Sequence, residues 1–215
     1  MKKKKALILG SSKGIGKAIY ESLKELNLEL IVPKREILDT SNLSSVKKYI
    51  KIIKNVHVLV MNTGGPPVKN FFLITDKEWD KYYHQLFLSF VIMLQKLNID
   101  KNGFIFLISS HTIKSPEENL CLSNSYRVAL SSILKTVSQI YAKKNITCIN
   151  IAPGPIKTNR LKKNVKNIKE LEKKLPMKRA GNPKEIGDFI KSIIKGLPIS
   201  PSELYCFSTI DIPSL

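Results

Sequence analysis

The residues of this chain that could do chemistry gather in short, glycine-containing runs, each placed at the end of an apolar stretch. The first run is Gly10-Ser11-Ser12-Lys13-Gly14-Ile15-Gly16. It follows the apolar stretch Lys5–Leu9 and opens a helical pattern over Ile15–Leu26. Gly10 suits a turn conformation that side chains resist. Gly14 lets a diphosphate approach the backbone, and Gly16 lets the helix pack closely on the strand. The helix N-terminus offers unpaired N–H groups and a favourable dipole to phosphate oxygens. Glycine spacing alone is a weak signal; between a first strand and a first helix it is specific. Ser12, Lys13 and Ile15 belong to the same cradle. Further runs are Pro33-Lys34-Arg35, Asn62-Thr63-Gly64-Gly65, Ile108-Ser109-Ser110 and Asn150–Thr158. Three histidines complete the inventory. His111 lies beside Ser110 and titrates in a useful range, but reads first as a surface or supporting residue. His57, inside an apolar stretch, is expected to be a satisfied core residue, and His84 an ordinary helix residue. Cys121, Cys148 and Cys206 are scattered, with no metal spacing, so no metal site is expected and the thiols read as packing in a reducing, cytoplasmic setting.

The elements that must position these runs alternate between apolar strands and helices. Strands are expected over Lys5–Leu9, Leu28–Val32, Val56–Met61, Gly103–Ser109, Ile146–Ile151 and Leu204–Phe207. Ile37-Leu38-Asp39 reads as a further short strand. Helices are expected over Ile15–Leu26, Ser41–Lys54, Glu78–Leu97, Asn119–Ala142, Lys162–Lys174 and Pro183–Lys195. Continuous apolar strands separated by helices argue for a parallel sheet covered on both faces. The fold class is therefore α/β, a Rossmann-type doubly wound sheet in three α/β/α layers. Ligands of such sheets sit at the carboxyl ends of the strands, where the reactive runs lie.

The chain has 215 residues, a size for one domain spanning residues 1–215. At 43% hydrophobic and 25% charged residues it is neither disordered nor fibrous. No apolar run is long enough to span a bilayer, so no membrane partner is expected. The formal charge of +19 suggests nucleic acid, but only four of the 36 basic residues are arginine, the residue suited to specific phosphate and base recognition. Nucleic acid is accordingly not expected as a partner. The segment Lys157–Arg179 holds eight lysines and two arginines against Glu170 and Glu172. It reads as an exposed amphipathic helix or as a mobile basic lid, at about residues 160–177, over an acidic ligand.

Taken in order, these runs resemble the short-chain dehydrogenase/reductase family over nearly the whole chain. Gly10–Gly16 has the family's glycine spacing. Asn62–Gly65 resembles its Asn-Asn-Ala-Gly motif, and Ser110 lies where the family's catalytic serine ends a strand. Asn150–Thr158 resembles the Pro-Gly loop that meets the nicotinamide, with Pro153, Gly154, Ile156 and Thr158 as contacts. Arg179-Ala180-Gly181-Asn182-Pro183 resembles the segment after the lid. The resemblance implies hydride transfer between NADP and a small carbonyl or alcohol. Lys34 and Arg35 follow the second strand and could neutralise a 2′-phosphate, while Glu36 leaves room for NAD. Asn62, Thr63 and Gly64 would line the cofactor, and Asp39 would approach the adenine. The family's helix between its second and third strands is missing, which leaves fewer residues around the adenosine end.

The family's tyrosine and lysine are replaced. Thirteen residues after Ser110 stands Ser123, and four further stands Arg127; Leu86 stands at the position of the family asparagine. These identities resemble a divergent branch of the family with Asn-Thr-Gly-Gly and an arginine. Ser110, Ser123 and Arg127 are the catalytic candidates. Arg127 could hold ribose hydroxyls and a fixed positive charge but cannot trade protons. Two readings follow: an NAD(P)-dependent oxidoreductase with an altered proton route, or a catalytically inactive dinucleotide-binding regulator or complex subunit. The basic lid points to an anionic substrate. Tyr82, Tyr83 and Phe87 near Trp79 read as core or subunit interface rather than a substrate cage, and Tyr126 as packing. The helices Glu78–Leu97 and Asn119–Ala142 resemble those that pair subunits in the family, which implies a homodimer or homotetramer. The tail Thr209–Pro213 lacks the glycines of the family's C-terminal motif.

Overall fold

The computed structural model describes residues 3–196 and the backbone of 204–207. The first strand is β1 (Lys4–Ile8), followed by α1 (Gly14–Leu23), β2 (Leu28–Ile31), α2 (Leu43–Ile53) and β3 (Asn55–Met61). After a long loop come α3 (Asp76–Tyr83), a π turn (His84–Leu88) and α4 (Ser89–Lys96). The remaining elements are β4 (Asn98–Ile108), α5 (Cys121–Ala142), β5 (Thr147–Ala152), α6 (Asn159–Asn164), α7 (Ile168–Lys174), α8 (Pro183–Lys195) and β6 (Leu204–Phe207). The strands form one sheet in the order β2-β1-β3-β4-β5-β6, and every pairing is parallel. The chain leaves β1 for β2 on one side, then crosses to β3 on the other. The switch point, and with it the expected ligand crevice, lies at the carboxyl ends of β1 and β3.

Alternation along the strands splits the core in two. Leu7, Leu59, Met61, Ile105, Leu107 and Cys148 point to the face covered by α2, α4 and α5. Ala6, Ile8, Val58, Val60, Phe106, Ile108, Ile149 and Ile151 point to the face covered by α1 and α8. Both faces are covered, which is why the central stretches of the strands are mostly apolar, with His57 in β3 and Asn150 in β5 as buried polar exceptions. Close packing of α8 on α1 depends on Gly187, where a Cβ would stand 2.5 Å from Ser22 Oγ and 2.7 Å from the Ala18 carbonyl. Helix α8 starts at Pro183, as the sequence implies, behind a capping box of Asn182 and Glu185.

Three expectations are corrected. Ile37–Asp39 is no strand, and the sheet has six strands among the described residues. The amides of Ile37 and Leu38 turn back to the Lys34 carbonyl, and Asp39 accepts from Ser41 N and Oγ. These local bonds outcompete a ladder. The helix expected over Glu78–Leu97 is interrupted by the π turn, in which the Ser89 amide reaches back to the His84 carbonyl. The helix expected over Lys162–Lys174 is broken at residues 165–167, where Asn167 caps α7 instead. The tail motif Thr209–Pro213 lies outside the described residues.

Candidate functional site

The glycine run forms a tight cradle after β1. Gly10 and Gly14 have φ of +61° and +56°, a backbone region costly for any side chain. A Cβ on Gly16 would lie 2.1 Å from the Gly10 carbonyl oxygen, so the start of α1 rests directly on the turn. Asn62, just after β3, ties the two loops together: its Nδ2 donates to the carbonyls of Leu9 (3.3 Å) and Gly10 (3.2 Å). Thr158, after β5, closes the third side, its methyl 3.4 Å from where a Gly14 Cβ would stand. The first turn of α1 has no side-chain cap and no acidic residue. By contrast α2, α3 and α8 are capped by Asn42, Thr75 and Asn182. Ser12 and Lys13 are exposed at the mouth of this cradle, with Ile15 half-buried beneath it. The arrangement fits a diphosphate: bare N–H groups, a positive dipole end and no competing carboxylate.

Beyond β2, Lys34 and Arg35 are exposed. Arg35 Nε donates to Asp39 Oδ2 at 3.1 Å, and the other Asp39 oxygen takes both Ser41 bonds. Burial pushes the Asp39 pKa up, but the bonds from Ser41 and Arg35 outweigh it and hold the carboxyl below its ordinary value. Thr63 Oγ1 meets Thr40 Oγ1 at 3.2 Å, and the Gly64 carbonyl accepts from Gln85 Nε2 at 2.6 Å. In the loop after β5, Pro153 accepts from the His111 amide, and Ile156 pairs with Gly181 through a parallel bridge. Gly154 lies between them in the chain.

Ser110 sits half-buried just past β4, its Oγ accepting from the amide (3.3 Å) and hydroxyl (3.1 Å) of Thr112. Ser123 is buried in the first turn of α5, and Arg127 lies one turn on. Arg127 Nε donates to Ser123 Oγ at 3.2 Å. Its Nη1 donates to the carbonyls of Ile108 (2.8 Å) and Ser109 (3.2 Å), at the very end of β4. Nη2 makes no hydrogen bond to a described residue. The guanidinium is thus fixed beside the peptide that carries Ser110. Burial lowers its pKa to about 10, with the nearby charge of Arg160 acting in the same direction.

A buried network that the sequence reading missed holds this corner. Ser109 Oγ donates to Asn150 Oδ1 at 2.6 Å, Asn150 Nδ2 to Ser131 Oγ at 3.0 Å, and Ser131 Oγ to the Arg127 carbonyl at 2.7 Å. It stitches β4, β5 and α5 together. Its signal in the sequence is Asn150, a polar residue in an otherwise apolar strand. Gln85 was also missed, and Arg160, expected only as the start of the basic lid, donates through Nη1 and Nη2 to the carbonyls of Gly65 (2.9 Å) and Pro66 (2.7 Å).

The histidines fall in three settings. His111 Nδ1 lies 3.3 Å from the Pro153 carbonyl and Nε2 2.9 Å from Glu117 Oε1, so both ring nitrogens are held by the loop. His84 lies 3.7 Å from Asp80 on the same helix surface. His57 corrects the expectation of a satisfied core residue: Nε2 meets Lys4 Nζ at 3.3 Å, but buried Nδ1 has no partner among the described residues. Tyr126 donates its hydroxyl to the Trp79 carbonyl at 3.1 Å and stacks edge-on against the indole, a packing role.

Among the described residues no helix is long and apolar enough to cross a membrane. A family model described as enoyl-(acyl carrier protein) reductase matches residues 36–195. The chain is 26% identical over 182 residues to an uncharacterized oxidoreductase of Bacillus subtilis, covering 72% of this chain and 69% of that protein. It is 25% identical over 219 residues to an L-rhamnose 1-dehydrogenase (NADP(+)) of Thermoplasma acidophilum, covering 86% of each. A small-chain dehydrogenase solved in complex with NADPH superposes with a TM-score of 0.82 at 19% identity, over 95% of this chain and 97% of that one.

Proposed function

The chain belongs to the short-chain dehydrogenase/reductase family, and from that premise we propose that it is an NADP-preferring oxidoreductase acting on a small carbonyl or alcohol through an altered catalytic site. One observation carries this reading: the loops after β1, β3 and β5 meet around an uncapped helix N-terminus, with Asn62 bonded to Gly10 and Thr158 against Gly14. The cofactor would supply the hydride. Gly10, Ser12, Lys13, Gly14, Ile15 and Gly16 would hold its diphosphate. Lys34 and Arg35 would receive a 2′-phosphate, and Asp39 would approach the adenine. Asn62, Thr63 and Gly64 would line the adenosine side. Pro153, Gly154, Ile156 and Thr158 would line the nicotinamide side, with Arg127 on the ribose. The NADP(+) in the name of the Thermoplasma relative supports this choice of cofactor; NAD remains the alternative.

Ser110 would donate its hydroxyl to the substrate carbonyl oxygen. Arg127 would stabilise negative charge developing there without giving up a proton, because a guanidinium near pKa 10 stays charged at neutral pH. Ser123 would orient Arg127 through its Nε, and the proton would come from water. Residues 160–177 would act as the lid over this cleft.

A second reading is supported by the same side chain. Arg127 spends Nε and Nη1 on Ser123 and on backbone carbonyls, as a structural arginine would. On that reading the chain is a dinucleotide-binding regulator or complex subunit without turnover. Titration with NADPH and NADH, followed by consumption of NADPH with a panel of aldehydes, ketones and sugars, separates the two. Turnover abolished by Ser110→Ala is expected. Tight NADPH binding with no turnover on any carbonyl selects the second reading, and no binding of either nucleotide sinks both. A homodimer or homotetramer built on α3–α4 and α5 is also proposed; a monomer in sedimentation equilibrium would contradict it.

A further inference from the structure

Two of the four arginines have a carboxylate partner: Arg35 pairs with Asp39 and Arg179 with Glu185. Among the described residues, the other two bond only to neutral groups. Arg127 is held by Ser123 and two carbonyls, Arg160 by the carbonyls of Gly65 and Pro66. They hang on neighbouring strand ends. Met61, the last residue of β3, pairs with Leu107 near the end of β4. Arg160 is tied to the loop after β3, and Arg127 to the end of β4. The two charges stand in each other's field.

Gly65 explains how Arg160 is seated. A Cβ there would lie 2.8 Å from Nη2 and 2.9 Å from Cζ of the guanidinium, which therefore rests directly over the Gly65 backbone. One N–H on each Nη is used on the loop. Nε–H and the second hydrogen of each Nη have no acceptor among the described residues. Two lysines flanking the lid are already engaged: Lys157 pairs with Glu172 at 2.9 Å, and Lys178 Nζ donates to the Lys173 carbonyl at 2.8 Å.

We propose that Arg160, seated over Gly65 and backed by Arg127, receives the carboxylate of an anionic carbonyl substrate. The inference rests on the oxidoreductase reading of the same cleft and narrows its substrate to a carbonyl compound that carries a carboxylate. A carboxylate bound there relieves the repulsion between the guanidinia and accepts charge-assisted bonds from the idle N–H groups. Arg160 is a specificity residue; Gly65 positions it.

The test is a calorimetric titration of the protein saturated with NADP+, the oxidised cofactor preventing turnover. The probes are pyruvate, acetoacetate and levulinate, each against its methyl ester. At least one acid is expected to bind about 10- to 100-fold tighter than its ester, the worth of a charge-assisted hydrogen bond. Arg160→Gln and, independently, Gly65→Ala should bring that ratio to within about threefold. The ratio is a readout that general loosening of the loop would not move. Equal binding of acids and esters by the wild type overturns the proposal, as does a ratio untouched by Arg160→Gln. A loss of NADP+ affinity in Arg160→Gln with the ratio unchanged also overturns it, by assigning Arg160 to a cofactor phosphate. If the protein takes up no NADP+ at all, the oxidoreductase reading fails on its own, and the same acid–ester titration of the free protein still decides the role of Arg160.

Discussion

On the proposed reading, the family's proton-trading pair gives way at Arg127 to a charge that stays put. The phenol and ammonium of the family site titrate; a guanidinium bonded to Ile108 and Ser109 does not at neutral pH. Burial lowers its pKa to about 10, which would set the pH dependence of a reaction that uses this charge. If carbonyl reduction depends on that charge, kcat/KM should stay flat from about pH 6 to 9 and fall with a midpoint near 10, with no tyrosine-like step below. Arg127→Gln should lower kcat/KM by roughly 100-fold or more, the usual cost of one electrostatic donor. A wild-type profile with a steep step near neutrality would point to a different acid. The identities at 110, 123 and 127 are plain in the sequence. That Nη1 spends itself on strand carbonyls is not, because it depends on how α5 lies against β4.

At the scale of elements, the glycine cradle is the most exacting construction. Gly16 has no room for a methyl group, since the obstruction is the Gly10 carbonyl of the backbone rather than a flexible side chain. Gly16→Ala should therefore displace α1 from β1, costing on the order of 2 kcal/mol or more of stability and weakening dinucleotide affinity by at least about tenfold. Urea unfolding and a fluorescence titration check the two effects, and unchanged binding would mean that the cradle is not the diphosphate site. The π turn between α3 and α4 shows where local reading stops. Its residues have helical character throughout, and periodicity does not register one extra residue in a turn. The turn coincides with Gln85, whose side chain bonds the Gly64 carbonyl and whose own carbonyl accepts from Ser89 Oγ.

Over the whole molecule, the buried middle of the sheet holds, among the described residues, one imperfectly satisfied side chain, His57, at the opposite end of the strands from the cleft. Burial lowers its pKa, Lys4 lowers it further, and Asp100 only partly opposes them. The folded ring resists a proton that the unfolded chain accepts below about pH 6.5. Its contribution to stability is complete above that pH and is lost progressively as the pH falls towards the lower folded-state value. Urea midpoints should drop between about pH 7.5 and 5, and His57→Leu should flatten that drop. An equal slope in the variant would remove His57 from the account.

The amino-acid order determined the alternation of apolar strands with helices, and therefore a parallel sheet with its reactive loops at one edge. It also determined the glycine cradle, because only glycine tolerates those dihedrals and contacts. Tertiary structure decided the rest. Ile37–Asp39 has strand-forming residues, but Asp39 turns inward to Ser41. The basic segment has helical spacing, but Asn167 starts a second helix within it. The reason is the same for the Asn150 network and for Arg160 over Gly65: each joins groups far apart in the chain, and such contacts exist only once the sheet has set its strand ends side by side.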